Sequence, residues 1–411
     1  MSEETLSSES PESQKTSAVP IMLERSCPYA PPDGYRQLAQ GEVIRRLTIP
    51  GGPDGWIITR YDEARAMLTD SRFSAMRRVL NGRPMIHSES ELDAIEGFFS
   101  MTAMDPPAHT RIRRLAARAF TAQRVRAMRP GIDEIVADQA DELARRGSPT
   151  DLVAGFTLQL PQRVVYMLLG ITEADQMRFP GMMLNETPNP EDAIRSIDTV
   201  MDYMAEIVKG KLGQPGGLIW ELTHPVNDAD ALADDEISAM CAALVLAGHE
   251  DNVAVLTLGT VALLSHRDQW EAMADDHKLV PRAVEEILRY IAVFQFGINR
   301  RALEDVEFSG VTIRAGEEVY ASVPAINFDP ARMSDPDRFD IRRESIRHMT
   351  FGHGVHQCVA QLFARAILVS VFTELPRRFP TMRLAVPVGE ISIYNGYFGG
   401  YGTQRLPVAW D

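Results

Sequence analysis

Of the three cysteines in the chain, Cys358 stands in the setting best suited to chemistry. It closes the run Phe351-Gly352-His353-Gly354-Val355-His356-Gln357-Cys358, and an apolar stretch of helical spacing, Val359 to Phe372, follows it. Two glycines permit a tight backbone wrap around a sulfur. A helix that starts just beyond turns its positive end toward that sulfur. Both features favour thiolate over thiol. A thiolate packed under Phe351 suits a soft or borderline metal. The loop alone leaves two other readings open. His348, His353 and His356 are near, and clusters of His and Cys bind zinc. Yet His353-x-x-His356-x-Cys358 is not a finger or ribbon spacing, and no distant cysteine pair completes it. A buried free cysteine is the plainest alternative.

Three further groups of residues bear on the site. Glu286 and Arg289 stand three apart in the helical run Arg282 to Tyr290, so they share one helix face. Most such pairs are solvated and contribute only ~0.3 kcal/mol. In Asp105-Pro106-Pro107-Ala108-His109-Thr110-Arg111-Ile112-Arg113 the prolines suit the first turn of a helix. His109 and Arg113 then lie one turn apart, a good clamp for a carboxylate. A basic surface helix would read the same way. Arg300 precedes strand-like sequence and means little alone. The last group is Ala247-Gly248-His249-Glu250-Asp251-Asn252, inside the otherwise apolar run from Asp235 to Ser265. Polar groups in an apolar helix are costly and often mark function. The plain alternative is that Asp251 and Asn252 satisfy backbone groups at a kink.

The elements that must carry these residues are mostly helical. Ile132 to Leu143, Ser196 to Leu212 and Asp235 to Ser265 show apolar residues at three- and four-residue spacing. Glu42 to Arg60 reads as a β-hairpin around Pro50 to Gly55, and Tyr61 to Thr69 as a short helix. Val306 to Pro324 has strand composition, and Asn327 to Arg343 reads as irregular surface. The chain has 411 residues, 45% of them hydrophobic, with no internal repeat and no long linker. Residues 1–17 read as a disordered tail and 18–411 as a single domain. The 42 basic residues against 57 acids leave a net charge of −15, which excludes nucleic acid as the main partner. Few, scattered cysteines and no export signal fit a reducing cytoplasm. The best membrane-span candidate, Cys241 to Leu264, is broken by the cluster at residues 249–252, so no membrane partner is expected.

Taken together, the order and spacing of these motifs resemble the cytochrome P450 superfamily, soluble bacterial type, from the hairpin at Glu42 to Trp410. The resemblance implies a mainly α fold with a small β region, holding heme b between a long distal helix and the helix after the cysteine loop. It makes Cys358 the axial iron ligand. His109, Arg113, Arg300 and His356 match the propionate-binding positions, and Phe351 the residue shielding the thiolate. Glu286 and Arg289 match the structural ion pair pinned to the segment 335–339. Ala247 and Gly248 match small residues where the distal helix nears the heme. Ala360 stands where the family often has glycine.

One departure concerns the chemistry itself. Glu250 matches the family's acid, but Asp251 takes the place of the usual threonine and Asn252 follows. Asp251 relaying protons, a substrate group completing the relay, and a reaction with different demands are all compatible with this. The resemblance implies O2 activation with two electrons from a ferredoxin and its reductase. Arg111, Arg114, Arg118, Arg377 and Arg378 offer a basic dock for that partner, or are simply solvated. Pocket segments Ile86 to Met101, Leu244 to Gly248, Val293 to Gly297 and Tyr394 to Tyr401 supply Leu244, Val293, Phe294, Phe296 and Phe398. They suit a small apolar or aromatic substrate. Hydroxylation or epoxidation of a secondary metabolite is the expected reaction. Oxidative C–C or C–N coupling of an aromatic natural product such as a cyclodipeptide, and a non-catalytic heme sensor, are the alternatives.

Overall fold

The computed structural model describes residues 19–20, 24–48, 54–76, 79–80, 83–84, 100–177, 190–210, 212–227, 231–291, 293, 297–395 and 401–411. The expected tail at residues 1–17 lies outside them. The helices that matter for the site are α1 (Tyr61–Thr69), α2 (Ala108–Ala119), α3 (Ala122–Arg146), α4 (Gln159–Leu169), α5 (Pro190–Lys209), α6 (Asp234–Ser265), α7 (Val280–Ile291) and α8 (Gln361–Arg378).

Helix α6 is the axis of the molecule. Asp234, Asp235 and Glu236 fill its first turn, where acids complement the helix dipole. The Glu236 carboxylate also accepts from the Ala233 backbone N–H at 2.9 Å. Nearly every side chain from Val253 to Leu264 is buried, because α4, α5, α7 and α8 pack around this helix. It is long and apolar enough to cross a bilayer by composition alone. Here its apolar surface is instead the centre of the main core, with Val136, Val164, Ile287, Ile367 and Val371. A five-residue π-helix, Val153–Thr157, precedes α4. It is tied to α6 by a buried hydroxyl pair, Thr157 to Thr257, at 2.8 Å.

The β region is a six-stranded sheet of β1 (Val19–Pro20), β2 (Ile44–Thr48), β3 (Gly55–Ile58), β4 (Phe73–Ser74), β5 (Ile298–Ala302) and β6 (Glu318–Ala321). Its spatial order is β1-β2-β3-β6-β5-β4. β2 and β3 form the expected antiparallel hairpin, with Ile44 opposite Ile58. β6 runs parallel to β3 and antiparallel to β5, placing Arg300 opposite Val319. A second core of Ile58, Met67, Phe73, Val319 and Ile326 joins this sheet to α1.

The helix expected at Tyr61 to Thr69 forms with those limits. The helix expected at Ile132 to Leu143 extends to Ala122–Arg146, through Pro130. The strand composition of Val306 to Pro324 ends early. Ser322 caps a short helix, Val323–Ile326, by accepting from Ala325, and this helix takes Pro324 at its start.

Candidate active site

The loop before α8 folds as the glycines require. Gly352 and Gly354 have φ of 66° and 74°, a region costly for other residues. A Cβ on Gly354 would also meet the Leu68 carbonyl oxygen at 2.4 Å, so this loop seats directly on α1. The Cys358 N–H donates to the Phe351 carbonyl at 2.8 Å, closing the loop into a ring. The Ala360 N–H in turn faces the Cys358 sulfur. Alanine at position 360 therefore leaves the backbone donor to sulfur intact.

The electrostatics of Cys358 differ from the sequence expectation in one respect. Burial pushes its thiol up, and the Asp251 charge adds to that. The Ala360 N–H and the Arg113 and Arg365 charges oppose it without prevailing. Without metal, the loop therefore holds a thiol rather than a preformed thiolate. A coordinating metal removes the proton outright.

Across from the sulfur lies α6. Ala243, Ala247 and Asp251 recur every four residues on one face; Ala247 is exposed and the other two are half-buried, whereas Leu244, Val245 and Leu246 between them are buried. Asp251 is near enough to Cys358 for its charge to act on the sulfur, so the space between this face and the cysteine loop is the candidate slot. Gly248 serves a different contact. A Cβ there would sit 2.8 Å from Val165 Cγ2 of α4, so its smallness lets two helices approach rather than opening the slot. His249 also faces α4. Its Nε2 bonds the Leu158 carbonyl at 2.9 Å, anchoring α6 beside the slot.

The acids of the cluster separate in role. Burial, with help from the neighbouring Glu250 charge, pushes the Asp251 carboxyl up to about 7. Burial raises Glu250 as well. Asn252 donates its side-chain amide to the Gly248 carbonyl at 2.9 Å, an i−4 bond that ties it to the backbone. The backbone-satisfying alternative thus describes Asn252, while Asp251 makes no such bond among the described residues.

One end of the slot is basic. The rings of His109 and His356 meet with centroids 4.1 Å apart. Arg113 donates to the Gln357 carbonyl next to Cys358. His109 is held below the usual imidazole range by burial first and then by the Arg113 and Arg300 charges, so all four basic side chains converge. Asp105, the nearby acid, is committed to Ser74 and to the Ala75 N–H. Both ring nitrogens of buried His109 lack a hydrogen-bond partner among the described residues. Convergent basic groups around an unsatisfied buried imidazole are what two propionate carboxylates would complete. The donor set therefore fits heme: one cysteine sulfur on one wall, small residues on the other, and cations at one end.

The zinc alternative does not survive this geometry. His353 is bonded to Arg65, His348 to Glu285, and the His356 ring lies tilted against that of His109. No group of three or more His, Cys, Asp or Glu is placed to hold a metal among the described residues.

Glu286 and Arg289 are both fully buried. Arg289 donates to both Glu286 oxygens, at 2.7 and 2.8 Å, and to the carbonyls of Asn327, Pro336 and Arg338. Its five N–H donors are all used. Sequence reading missed the third member, Arg343, whose Nε lies 3.1 Å from Glu286 Oε1. It lies in the irregular segment, where spacing carries no signal. The basic dock is reduced by the structure. Arg111 pairs with Glu236, Arg377 with Glu374 and Arg378 with Asp141. Among the pocket residues, Leu244 and Val293 are buried in the main core. Phe294, Phe296 and Phe398 lie outside the described residues.

Comparison with known proteins identifies the family. The sequence signature of the family described as Cytochrome P450 matches residues 220–382. The chain is 36% identical over 397 residues to "Nocardicin C N-oxygenase" of Nocardia uniformis subsp. tsuyamanensis, covering 94% of this chain and 98% of that one. It is 35% identical over 407 residues to "Vitamin D3 dihydroxylase" of Streptomyces griseolus, covering 97% and 98%. The crystal structure of CYP105P1 in complex with filipin I superposes with a TM-score of 0.88 at 34% identity, covering 96% of this chain and 99% of that one. Relatives this similar, aligned along almost their whole length, place the chain in the cytochrome P450 family. It is a P450 monooxygenase of the bacterial type, and the non-catalytic sensor alternative falls away.

Proposed function

We propose that this protein, as one catalytic domain over residues 18–411, binds heme b through Cys358 and inserts oxygen from O2 into a small apolar or aromatic secondary metabolite. Two electrons would come from a ferredoxin and its reductase, in the cytoplasm. The observation that carries the reading is the convergence of His109, Arg113, Arg300 and His356 beside the Cys358 loop, around a buried His109 ring with no hydrogen-bond partner among the described residues. Heme, when bound, supplies the iron at which dioxygen is activated.

The chain's own residues do the rest. His109, Arg113, Arg300 and His356 hold the two carboxylates of the group. Phe351 keeps water from the sulfur. Ala247 leaves room on the distal wall. Asp251 holds a proton on its carboxyl near neutral pH, because burial disfavours its charge. It can deliver that proton into the slot and be recharged, with Glu250 as the next acid along the helix. Asn252 keeps the helix in shape at Gly248.

Two relatives are named for oxygen insertion, one of them at nitrogen, which supports this reaction class. The test is turnover with ferredoxin, reductase and isotopically labelled dioxygen across a panel of aromatic metabolites. One labelled oxygen in the product is expected. Product free of label and joined through a new C–C or C–N bond would favour the second reading, oxidative coupling. The specific observation behind that reading is the carboxyl at position 251 in place of a hydroxyl.

A further inference from the structure

A second charged cluster lies against Phe351 of the cysteine loop, separate from the pair Glu286 and Arg289. Arg365, one turn into α8, clamps Glu285 of α7 through Nε at 2.6 Å and Nη2 at 3.0 Å. This is the bidentate fork that fixes a guanidinium plane. The plane is directed at Phe351, with Arg365 Cζ 4.5 Å from its ring centroid. Phe351 is the residue whose carbonyl accepts the Cys358 N–H. His348 completes the clamp. Its Nε2 donates to Glu285 Oε2 at 3.1 Å, and its Nδ1 accepts from the Thr350 N–H at 3.3 Å. The Nε2–H tautomer satisfies both bonds, which orients the ring without adding charge. The carboxylate thus acts as an aiming device. It holds one fixed cation against the ring that shields the sulfur, close enough for the Arg365 charge to act on Cys358.

We propose that Glu285 and Arg365 are a positioning pair that sets how strongly the Cys358 sulfur donates electrons to the metal, and so sets its reduction potential. The inference rests on the ligation by Cys358 proposed above. A cation near the thiolate stabilises negative charge on sulfur and favours the reduced state. The pair needs no contact with substrate.

The test is the reduction potential of the heme-loaded enzyme, measured anaerobically by spectral titration, beside the absorption of the reduced CO complex. Arg365→Gln should shift the ferric–ferrous equilibrium about tenfold toward ferric, which is ~59 mV lower for one electron. Arg365→Lys, which keeps the charge but not the fork, should recover most of that shift. Glu285→Gln leaves the cation uncompensated and should move the potential the other way. A purely structural clamp between α7 and α8 would lower thermal stability in all three and leave the potential unmoved. That result overturns the inference. Should Arg365→Gln fail to load heme, Glu285→Gln carries the test, and an unchanged potential there overturns it equally. A wild-type enzyme without a thiolate-type CO spectrum would instead refute the ligation itself.

Discussion

Arg289→Met is expected to destabilise the protein by about 3–5 kcal/mol, the range found when one partner of a buried ion pair is removed. The reason is the accounting around Glu286. Its carboxylate is fully buried and accepts from both Arg289 nitrogens, from the Asp340 N–H and from Arg343. Without Arg289, Glu286 Oε2 loses its donor among the described residues. The carbonyls of Asn327 and Pro336 lose theirs as well, while that of Arg338 keeps only the Arg343 donor. These carbonyls belong to the irregular segment that leads to the cysteine loop, so heme retention should fall with stability. Total stabilities of 5–15 kcal/mol leave little margin for such a loss. Denaturant unfolding and heme content per chain measure both effects. A loss under about 1 kcal/mol would show that Arg343 alone suffices for Glu286.

The second large effect is expected at Asp251. Its carboxyl, held near 7 by burial and by Glu250, is the candidate proton source on the distal wall. Asp251→Asn keeps the shape and removes the titrating proton. It should cut product formed per NAD(P)H consumed by roughly 100-fold, at the low end for loss of a general acid. In the wild type, coupling should be high below pH 7 and decline as pH rises through about 7, as the carboxyl ionises. The Asn variant should show no such decline. Stability follows the same sign. The folded protein binds this proton more tightly than the unfolded chain. Its contribution is therefore full below the ordinary carboxyl value near 4 and is lost as pH rises through about 7. Unchanged coupling in the variant would remove Asp251 from the relay and leave the proton to another group.

The cysteine loop was legible because its constraints are local. Two positive-φ glycines, a sulfur and the start of a helix lie within one short run, and the structure keeps all of them. The long helix was legible from its apolar spacing, since its neighbours surround it on every side. What local sequence does not carry is the pairing of distant charges. Arg343 meets Glu286 across 57 positions, and Arg365 meets Glu285 across 80. Neither separation leaves a periodic trace. The pairing of two of the arginines offered as a basic dock, Arg111 and Arg378, was hidden for the same reason. Spacing showed one basic face on α2, but Glu236, from the start of α6, neutralises Arg111. Gly248 is a subtler case. The need for a small residue was readable, but the partner it accommodates is Val165 of α4, from far up the chain. The thiolate preference of Cys358 was read from the glycine loop and the helix dipole. Burial, which depends on the finished fold, outweighs it until a metal is bound.

The most direct measurement is the absorption spectrum of the reduced enzyme under carbon monoxide, for the wild type and for Cys358→Ser side by side. A sulfur-to-iron bond predicts the red-shifted thiolate-type Soret band in the wild type and its loss in the serine variant. A wild type lacking that band, or a serine variant that keeps it, would contradict the account.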